Sequence, residues 1–81
     1  MRIDKFLKVS RLLKRRTLAQ EAADGGRVKV NGRTVKPAQQ VKVGDEIEIG
    51  FNSGTVKLKI LMIKDTVRKE DAEKMYEIIT E

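Results

Sequence analysis

Three consecutive cations, Lys14, Arg15 and Arg16, come immediately before a segment that is predicted to be helical. The positive end of a helix dipole repels such side chains, at a cost of about 0.3 to 1 kcal/mol each at low salt. The same place favours an anion, because free backbone N–H groups and the dipole act there together with the cations. The pattern therefore predicts a phosphate-binding site at the start of this helix.

The cations of the chain are concentrated near its N-terminus. The 81 residues carry 18 Lys and Arg against 12 Asp and Glu, a net charge of +6. Residues 2–16 hold seven of the cations against Asp4 alone and so account for the whole surplus. This asymmetry indicates a polyanionic partner for one face of the protein. We predict contacts to phosphate and sugar groups from Arg2, Lys5, Lys8, Arg11, Lys14, Arg15, Arg16, Thr17 and Gln20, with Asn31 and Lys36 nearby.

The composition excludes most catalytic chemistry. The chain has no Cys and no His, so it lacks thiolate metal ligands and the commonest general base. Glu46 and Glu48 are expected to pair across strands with Lys57 and Lys59. We therefore predict a protein that is not an enzyme and needs no cofactor or metal. Apolar runs far shorter than the ~20 residues of a membrane span, and no signal pattern, predict a cytoplasmic protein without a membrane partner.

The inventory of side chains narrows the kind of nucleic acid. Phe6, Phe51 and Tyr76 are the aromatic residues, and we assign them to an apolar face or a strand end. Base stacking on aromatic rings, the usual mode of single-strand binding, is therefore disfavoured. Folded RNA is recognised mainly through backbone shape and 2′-hydroxyls, which Arg, Lys, Asn and Gln can contact. A protein that binds the major groove of DNA remains an alternative, but the second helix offers few side chains that could contact base edges.

A short helix is predicted over about residues 3–10, because apolar residues recur there at helical spacing. Asp4 lies in its first turn, where two roles remain open. The carboxylate could cap the helix, or it could orient Arg2 or Arg16 instead of touching RNA.

A second helix follows the cationic cluster. Thr17 to Gln20 has the form of a capping box and predicts the start of this helix, and Gly25-Gly26 predicts its end. Leu18, Ala19, Ala22 and Ala23 are predicted to form a small-residue apolar face on this helix.

From Arg27 onward the hydrophobic period changes to two. Asn31-Gly32 predicts a tight hairpin turn between strands, Pro37 is expected to end the second arm, and residues 46–49 and 56–62 predict two more strands. The C-terminal residues Ala72, Met75, Tyr76 and Ile79 have the spacing of an amphipathic helix. The order ααββββα predicts an α+β fold that forms a single domain over residues 1–81.

Residues 2–50 resemble the S-four (αL) RNA-binding domain. The resemblance is carried by Arg2-Ile-Asp4-Lys5-Phe-Leu7, Ser10-Arg11, Arg16 followed by Ala19, and Gly26-Arg27-Val28-x-Val30-Asn31-Gly32. It implies two N-terminal helices packed on a short, mostly antiparallel sheet, with residues 51–81 as the last strand and a C-terminal helix. It also implies RNA contacts from Arg16 and its neighbours at the start of the second helix, and from the loop before the Val-x-Val-Asn-Gly strand. Arg15 stands where the family often has Ser, so Thr17 caps the second helix or the cap is missing.

The residues beyond the S-four domain include Lys64-Asp-Thr-Val and the predicted helix with Lys74-Met-Tyr76. With them, the chain resembles over its whole length the bacterial family of ribosome-associated quality-control P-site factors, relatives of the ribosome-associated fifteen-kilodalton heat-shock protein. This resemblance implies binding to 23S rRNA and tRNA on the large ribosomal subunit, stabilisation of P-site peptidyl-tRNA on stalled subunits, and alanine tailing by a partner quality-control factor. We expect a monomer. The alternatives are a general ribosome-associated heat-shock factor, a protein-interaction module acting through the C-terminal helix, and a fragment of an RNA-modifying enzyme.

Overall fold

Two α-helices come first in the chain, and a five-stranded antiparallel sheet follows them. The computed structural model describes residues 1–79; Thr80 and Glu81, the end of the predicted C-terminal unit 51–81, lie outside the described residues. The α+β architecture predicted from the sequence is confirmed. The elements are α1 (Ile3–Val9), α2 (Arg16–Asp24), β1 (Val28–Val30), β2 (Arg33–Thr34), β3 (Glu46–Phe51), β4 (Gly54–Ile60), a 3₁₀ helix (Lys69–Met75) and β5 (Tyr76–Ile78).

The strands lie in the order β2-β1-β3-β4-β5. Between β3 and β4, Glu46 lies opposite Lys59 and Glu48 opposite Lys57, and the Glu48 Oε1 to Lys57 Nζ distance is 3.9 Å. The predicted pairing of these glutamates with lysines is therefore confirmed. Because side chains alternate along a strand, these charged residues share the outer face of the sheet, away from the core.

The two helices cover the inner face of the sheet. Ile3, Phe6 and Leu7 of α1 are fully buried and each contributes about 1.5 to 3 kcal/mol of hydrophobic stabilisation. The side of α2 that is buried with them consists of small alanines, which lets the backbones approach closely. The prediction that Leu18 shares this face is wrong, since its side chain is exposed. This packing fixes the N-terminal ends of α1 and α2 relative to each other. The core is completed by Ala19, Ala22, Ala23, Val28, Val30, Val41, Ile47, Ile49, Leu58, Ile60 and Met75.

The turn between β1 and β2 forms as predicted. Asn31 and Gly32 have φ angles of 52° and 83°, the left-handed values that a two-residue hairpin turn requires. The Asn31 side chain also donates to Asp45 Oδ1 at 3.1 Å and accepts from the Glu46 N–H at 2.9 Å. It therefore ties the hairpin to the start of β3. Strand β2 ends at Thr34, before Pro37, and is shorter than the predicted arm.

The predicted capping box at the start of α2 is wrong. The helix begins at Arg16 with Arg15 as its N-cap residue, and no side chain caps it. Instead of bonding back to Thr17, the amide of Gln20 donates to Asp4 Oδ2 at 3.1 Å. A buried carboxylate must have hydrogen-bond donors, and this requirement outweighs the gain from a local cap on the surface.

The predicted C-terminal α-helix is correct in position only over its first part. Residues 69–75 form a 3₁₀ helix with Ala72 and Met75 buried, but Tyr76 begins strand β5 and lies opposite Ile60 of β4. The i, i+3 spacing of Ala72 and Met75 fits a 3₁₀ helix as well as an α-helix. The free edge of β4 then offers backbone partners that a continued helix could not use.

Candidate nucleic-acid interface

A buried carboxylate holds two arginines together near the N-terminal ends of α1 and α2. Asp4 Oδ2 accepts from Arg2 Nη2 at 3.0 Å and from Gln20 Nε2 at 3.1 Å, and it lies 3.3 Å from Arg16 Nε. The Asp4 side chain is fully buried, whereas those of Arg2 and Arg16 are each 42% exposed. We call Arg2, Asp4, Arg16 and Gln20 the Asp4 cluster. The prediction that Asp4 orients Arg2 or Arg16 is confirmed for both arginines.

The alternative role of Asp4 as the helix cap is wrong. The N-cap residue of α1 is Arg2, and it makes no side-chain capping bond. The second carboxylate oxygen, Oδ1, accepts instead from the backbone N–H of Lys5 at 2.7 Å and from Arg16 Nη2 at 3.4 Å. Both oxygens of the buried group are therefore supplied with donors, as burial of a charge requires.

Opposing effects act on the pKa of Asp4. Burial alone would raise this pKa, but hydrogen bonds from Gln20, Arg16 and the Lys5 N–H, together with the charge of Arg16, outweigh burial. The pKa therefore lies below its ordinary value, and the carboxylate is ionised at neutral pH. Two guanidinium groups share this one anion, so the Asp4 cluster keeps a net positive charge.

The lowered pKa of Asp4 predicts a loss of stability in acid. The folded-state pKa lies below that of the unfolded chain, so the contribution is complete above the unfolded-state pKa of about 4 and disappears as pH falls through the folded-state value. Urea unfolding between pH 7 and pH 2 should therefore show a steeper loss for the natural protein than for Asp4→Asn. Equal slopes would assign the acid sensitivity to other carboxyl groups.

The start of α2 combines cations with uncapped backbone amides. Lys14 and Arg15 are exposed just ahead of the helix, and its first turn contains no acidic residue. The N–H groups of Leu18 and Ala19 bond to the Arg15 carbonyl, so the amides before them lie at the open end of the helix. The predicted juxtaposition of positive side chains and a helix N-terminus is present in the structure.

The other predicted RNA contacts lie in two further places. Lys8 and Arg11 are exposed at the C-terminal end of α1, and Lys5 Nζ pairs with Asp65 Oδ1 at 3.1 Å. Lys36 is exposed in the loop that meets the N-terminal end of α1, and both polar groups of the Asn31 side chain are used within the protein. RNA contact by any of the predicted residues stays a prediction.

Two contacts that position the site have no signal in the sequence. The Met1 ammonium group donates to Gln40 Oε1 at 3.0 Å, and the Ile3 N–H donates to the Gln39 carbonyl at 2.8 Å. These bonds fix the first three residues of the chain, which include Arg2. They join residues far apart in the chain, so no local spacing could predict them.

The part of the chain that the structure describes contains neither a group of side chains that could hold a metal ion nor a helix that could span a membrane. Within residues 1–79, no three acidic side chains come together where they could hold a metal ion. Over the same residues, every helix is too short or too polar to cross a bilayer.

The class of protein follows from the fold, an antiparallel sheet covered by two helices, and from the arginines at the N-terminal ends of these helices. The S4 domain model matches residues 1–47, and the chain belongs to the S4 domain family. Over 81 residues it is 54% identical to the RQC P-site tRNA stabilizing factor of Streptococcus pneumoniae, covering 100% of this chain and 92% of that protein. The factor of the same name from Bacillus subtilis is 52% identical over 81 residues, with coverage of 100% and 94%.

These relatives place the chain, within the S4 domain family, in the group of RQC P-site tRNA stabilizing factors. The trimeric structure of Vibrio cholerae Heat Shock Protein 15 has the same fold, with a TM-score of 0.91 and 31% identity. The match covers 98% of this chain and 81% of that one. The relation to the fifteen-kilodalton heat-shock protein, predicted from the sequence, is confirmed.

Proposed function

We propose that the protein is a non-catalytic factor that binds structured RNA on the large ribosomal subunit and stabilises P-site tRNA there during ribosome-associated quality control. The single observation that carries this proposal is the Asp4 cluster, in which a buried carboxylate fixes two half-exposed arginines beside an uncapped helix end. Membership of the S4 domain family supports RNA as the ligand. The names of the relatives support P-site tRNA and quality control.

Preorganisation explains how such a cluster would bind RNA. Each guanidinium directs part of its donor set at Asp4, and because each arginine side chain is 42% exposed, further donors stay accessible to a phosphate oxygen. Arg2 Nε is the exception, since it is buried without a hydrogen-bond partner within residues 1–79. Because the side chains are already held in place, less conformational entropy is lost when RNA docks. Charge-assisted hydrogen bonds of this kind contribute about 1.5 to 3 kcal/mol each.

The proposal extends to the partners on the subunit. We infer contacts to 23S rRNA and to the tRNA by a monomer acting in the cytoplasm. Holding peptidyl-tRNA in the P site would keep the nascent chain available to a partner factor that adds alanine. The protein would thus promote tailing without taking part in bond formation.

The structure supports the alternative, an interaction module acting through the C-terminal helix, less than the sequence does. Ala72 and Met75 of the 3₁₀ helix are buried in the domain, and Tyr76–Ile78 is committed to the sheet. No apolar helix stripe is left for a partner in this part of the described chain. A general heat-shock role uses the same RNA-binding surface, and a quality-control assay is needed to distinguish it.

The salt dependence of binding tests the proposal. Neutralising about five to seven phosphates should lower log K by roughly 3.5 to 6 for each tenfold rise in salt, because counterions are released from the RNA. The measurement is equilibrium binding to large subunits that carry P-site peptidyl-tRNA, together with the fraction of that tRNA retained over time. A flat salt response, or retention that does not change when the protein is added, would refute the proposal.

A further inference from the structure

A groove lies at the end of α1 opposite the Asp4 cluster. It has a volume of about 410 Å³ and runs between the α1–α2 connection and residues 65–67. Lys8, Arg11 and Lys14 line it on the first segment, and Val9, Leu13 and Val67 give it apolar surface. Since α1 rises about 1.5 Å per residue, the groove residues Lys8 and Val9 lie roughly 6 to 8 Å from Asp4 along the helix. The two surfaces adjoin at Lys14, which lines the groove and precedes Arg16 by two residues.

The positive charge of the groove continues onto the C-terminal segment. An adjoining depression shares Thr66 and Val67 with the groove and is also lined by Lys64, Arg68 and Lys74. The acids nearby are already engaged: Asp65 pairs with Lys5 at 3.1 Å and Asp71 with Lys74 at 3.3 Å. Within residues 1–79, no carboxylate lies within ion-pairing distance of the five remaining cations around the two depressions, which are Lys8, Arg11, Lys14, Lys64 and Arg68.

The backbone of Arg11 is a second, independent sign of a role outside folding. Its φ angle is 61°, in the left-handed region that glycine adopts freely and a long side chain does not. Arg11 follows Ser10, which is the C-cap of α1. Glycine is the usual residue at the position after the C-cap. Its N–H donates to the Lys8 carbonyl at 3.1 Å, a bond that glycine could make equally well. The arginine side chain therefore brings nothing that helix termination requires.

We propose that this groove and the adjoining depression bind a second stretch of RNA phosphate backbone. The inference rests on the proposed function and adds Lys64 and Arg68, which lie beyond the residues matched by the S4 domain model. The cations belong to two chain segments and are spread over an open surface, which suits an extended polyanion better than one phosphate ion. Apolar patches from Val9 and Val67 between them suit the faces of ribose rings.

The variant Lys64→Ala/Arg68→Ala tests the groove outside the Asp4 cluster. Its matched control is Lys29→Ala/Lys59→Ala, which removes the same charge from the outer face of the sheet. The probes are vacant large subunits, subunits carrying P-site tRNA, and free tRNA, each titrated at several salt concentrations. We expect about tenfold weaker binding for the groove variant and a salt slope smaller by roughly 1.4 to 1.8, the equivalent of two phosphates. The control should keep the slope of the natural protein.

The probes also separate the sources of the RNA. A loss on vacant subunits identifies rRNA as the ligand of the groove, and a loss that needs tRNA identifies tRNA. An unchanged slope with unchanged affinity overturns the proposal, and so does an equal loss in the control. Weaker binding to subunits with an unchanged slope overturns it as well, because it indicates a ribosomal protein at this surface.

Arg11→Gly provides a test that does not depend on loss of folding. Removing the side chain relieves the left-handed backbone, so Tm should stay the same or rise while RNA affinity falls severalfold. A higher Tm with unchanged affinity would overturn the role of Arg11 in the groove. If Tm falls instead, the binding of Lys64→Ala/Arg68→Ala decides whether the groove binds RNA. Binding that survives the groove variants but not Arg16→Ala rejects the groove alone. Binding that survives all of them rejects the proposed function.

Discussion

Replacing Arg16 with alanine is expected to weaken binding to large ribosomal subunits about 10- to 100-fold, the equivalent of roughly 1.5 to 3 kcal/mol. The half-exposed guanidinium lies beside the open end of α2, where a phosphate would meet it together with the backbone amides. Stability should change much less, by about 1 kcal/mol. Asp4 keeps its bonds from Arg2, Gln20 and the Lys5 N–H, so it is not left without donors. Equilibrium binding and urea unfolding measure the two effects separately.

Two further variants show whether position or charge matters. Lys59→Ala removes one exposed cation of β4, outside the predicted contacts, and should bind almost as well as the natural protein. Arg16→Lys keeps the charge but loses the planar fork, and its affinity should fall between those of the natural protein and Arg16→Ala. If Lys59→Ala weakens binding as much as Arg16→Ala, the Asp4 cluster is not a specific site. A general electrostatic attraction would then explain the affinity.

The sequence was informative wherever one residue type has one local consequence. Asn31-Gly32 predicted its turn because these two residues tolerate left-handed φ angles better than others do. The apolar spacing of Ile3, Phe6 and Leu7 predicted α1 because a helix buries that face whatever packs against it. The run from Lys14 to Arg16 predicted cations beside a helix N-terminus, which the structure has, and anion binding there stays a prediction. Each of these signals lies within a few residues.

The features that could not be predicted depend on partners distant in the chain. Gln20 looked like half of a capping box until the fold placed Asp4, sixteen positions earlier, within its reach. Tyr76 had the spacing of a helix, but the unpaired edge of β4 made a strand the better solution. The groove beside Arg11 also depends on residues 65–67, which no local pattern brings near α1. Long-range packing decided all three.

In the proposed function, the Asp4 cluster links the stability of the fold to RNA binding, because one carboxylate serves both. Arg2 is the N-cap residue of α1 and Arg16 is the first residue of α2, and a single buried carboxylate sets the orientation of both. If positive charge alone were required for binding, an acidic residue at the centre of the surface would only lower the affinity for RNA. If orientation is the purpose, removing that acid should harm binding even though it makes the protein more positive.

Asp4→Asn is therefore expected to weaken RNA binding although it raises the net charge by one. The amide has no negative charge and only one acceptor oxygen, and its NH2 group replaces the other oxygen with a donor. It therefore cannot bond to all the present donors of Asp4, and the guanidiniums lose their common anchor. Stability should fall by about 2 to 3 kcal/mol, with Tm lower by about 10 to 20 °C. This is less than the loss typical of a broken buried pair, because both arginine side chains keep access to water.

Asp65→Asn is the matched control, since it adds the same charge but removes only an exposed partner of Lys5. Exposed ion pairs contribute little, so this variant should keep its Tm and bind RNA as tightly as the natural protein or more tightly. Binding must be measured below the Tm of Asp4→Asn, so that both variants are folded. If Asp4→Asn then binds as well as Asp65→Asn, positive charge alone explains the affinity, and the orienting role of Asp4 in RNA binding is wrong. A loss confined to Asp4→Asn can come only from the arrangement of the arginines, because the two variants carry the same net charge.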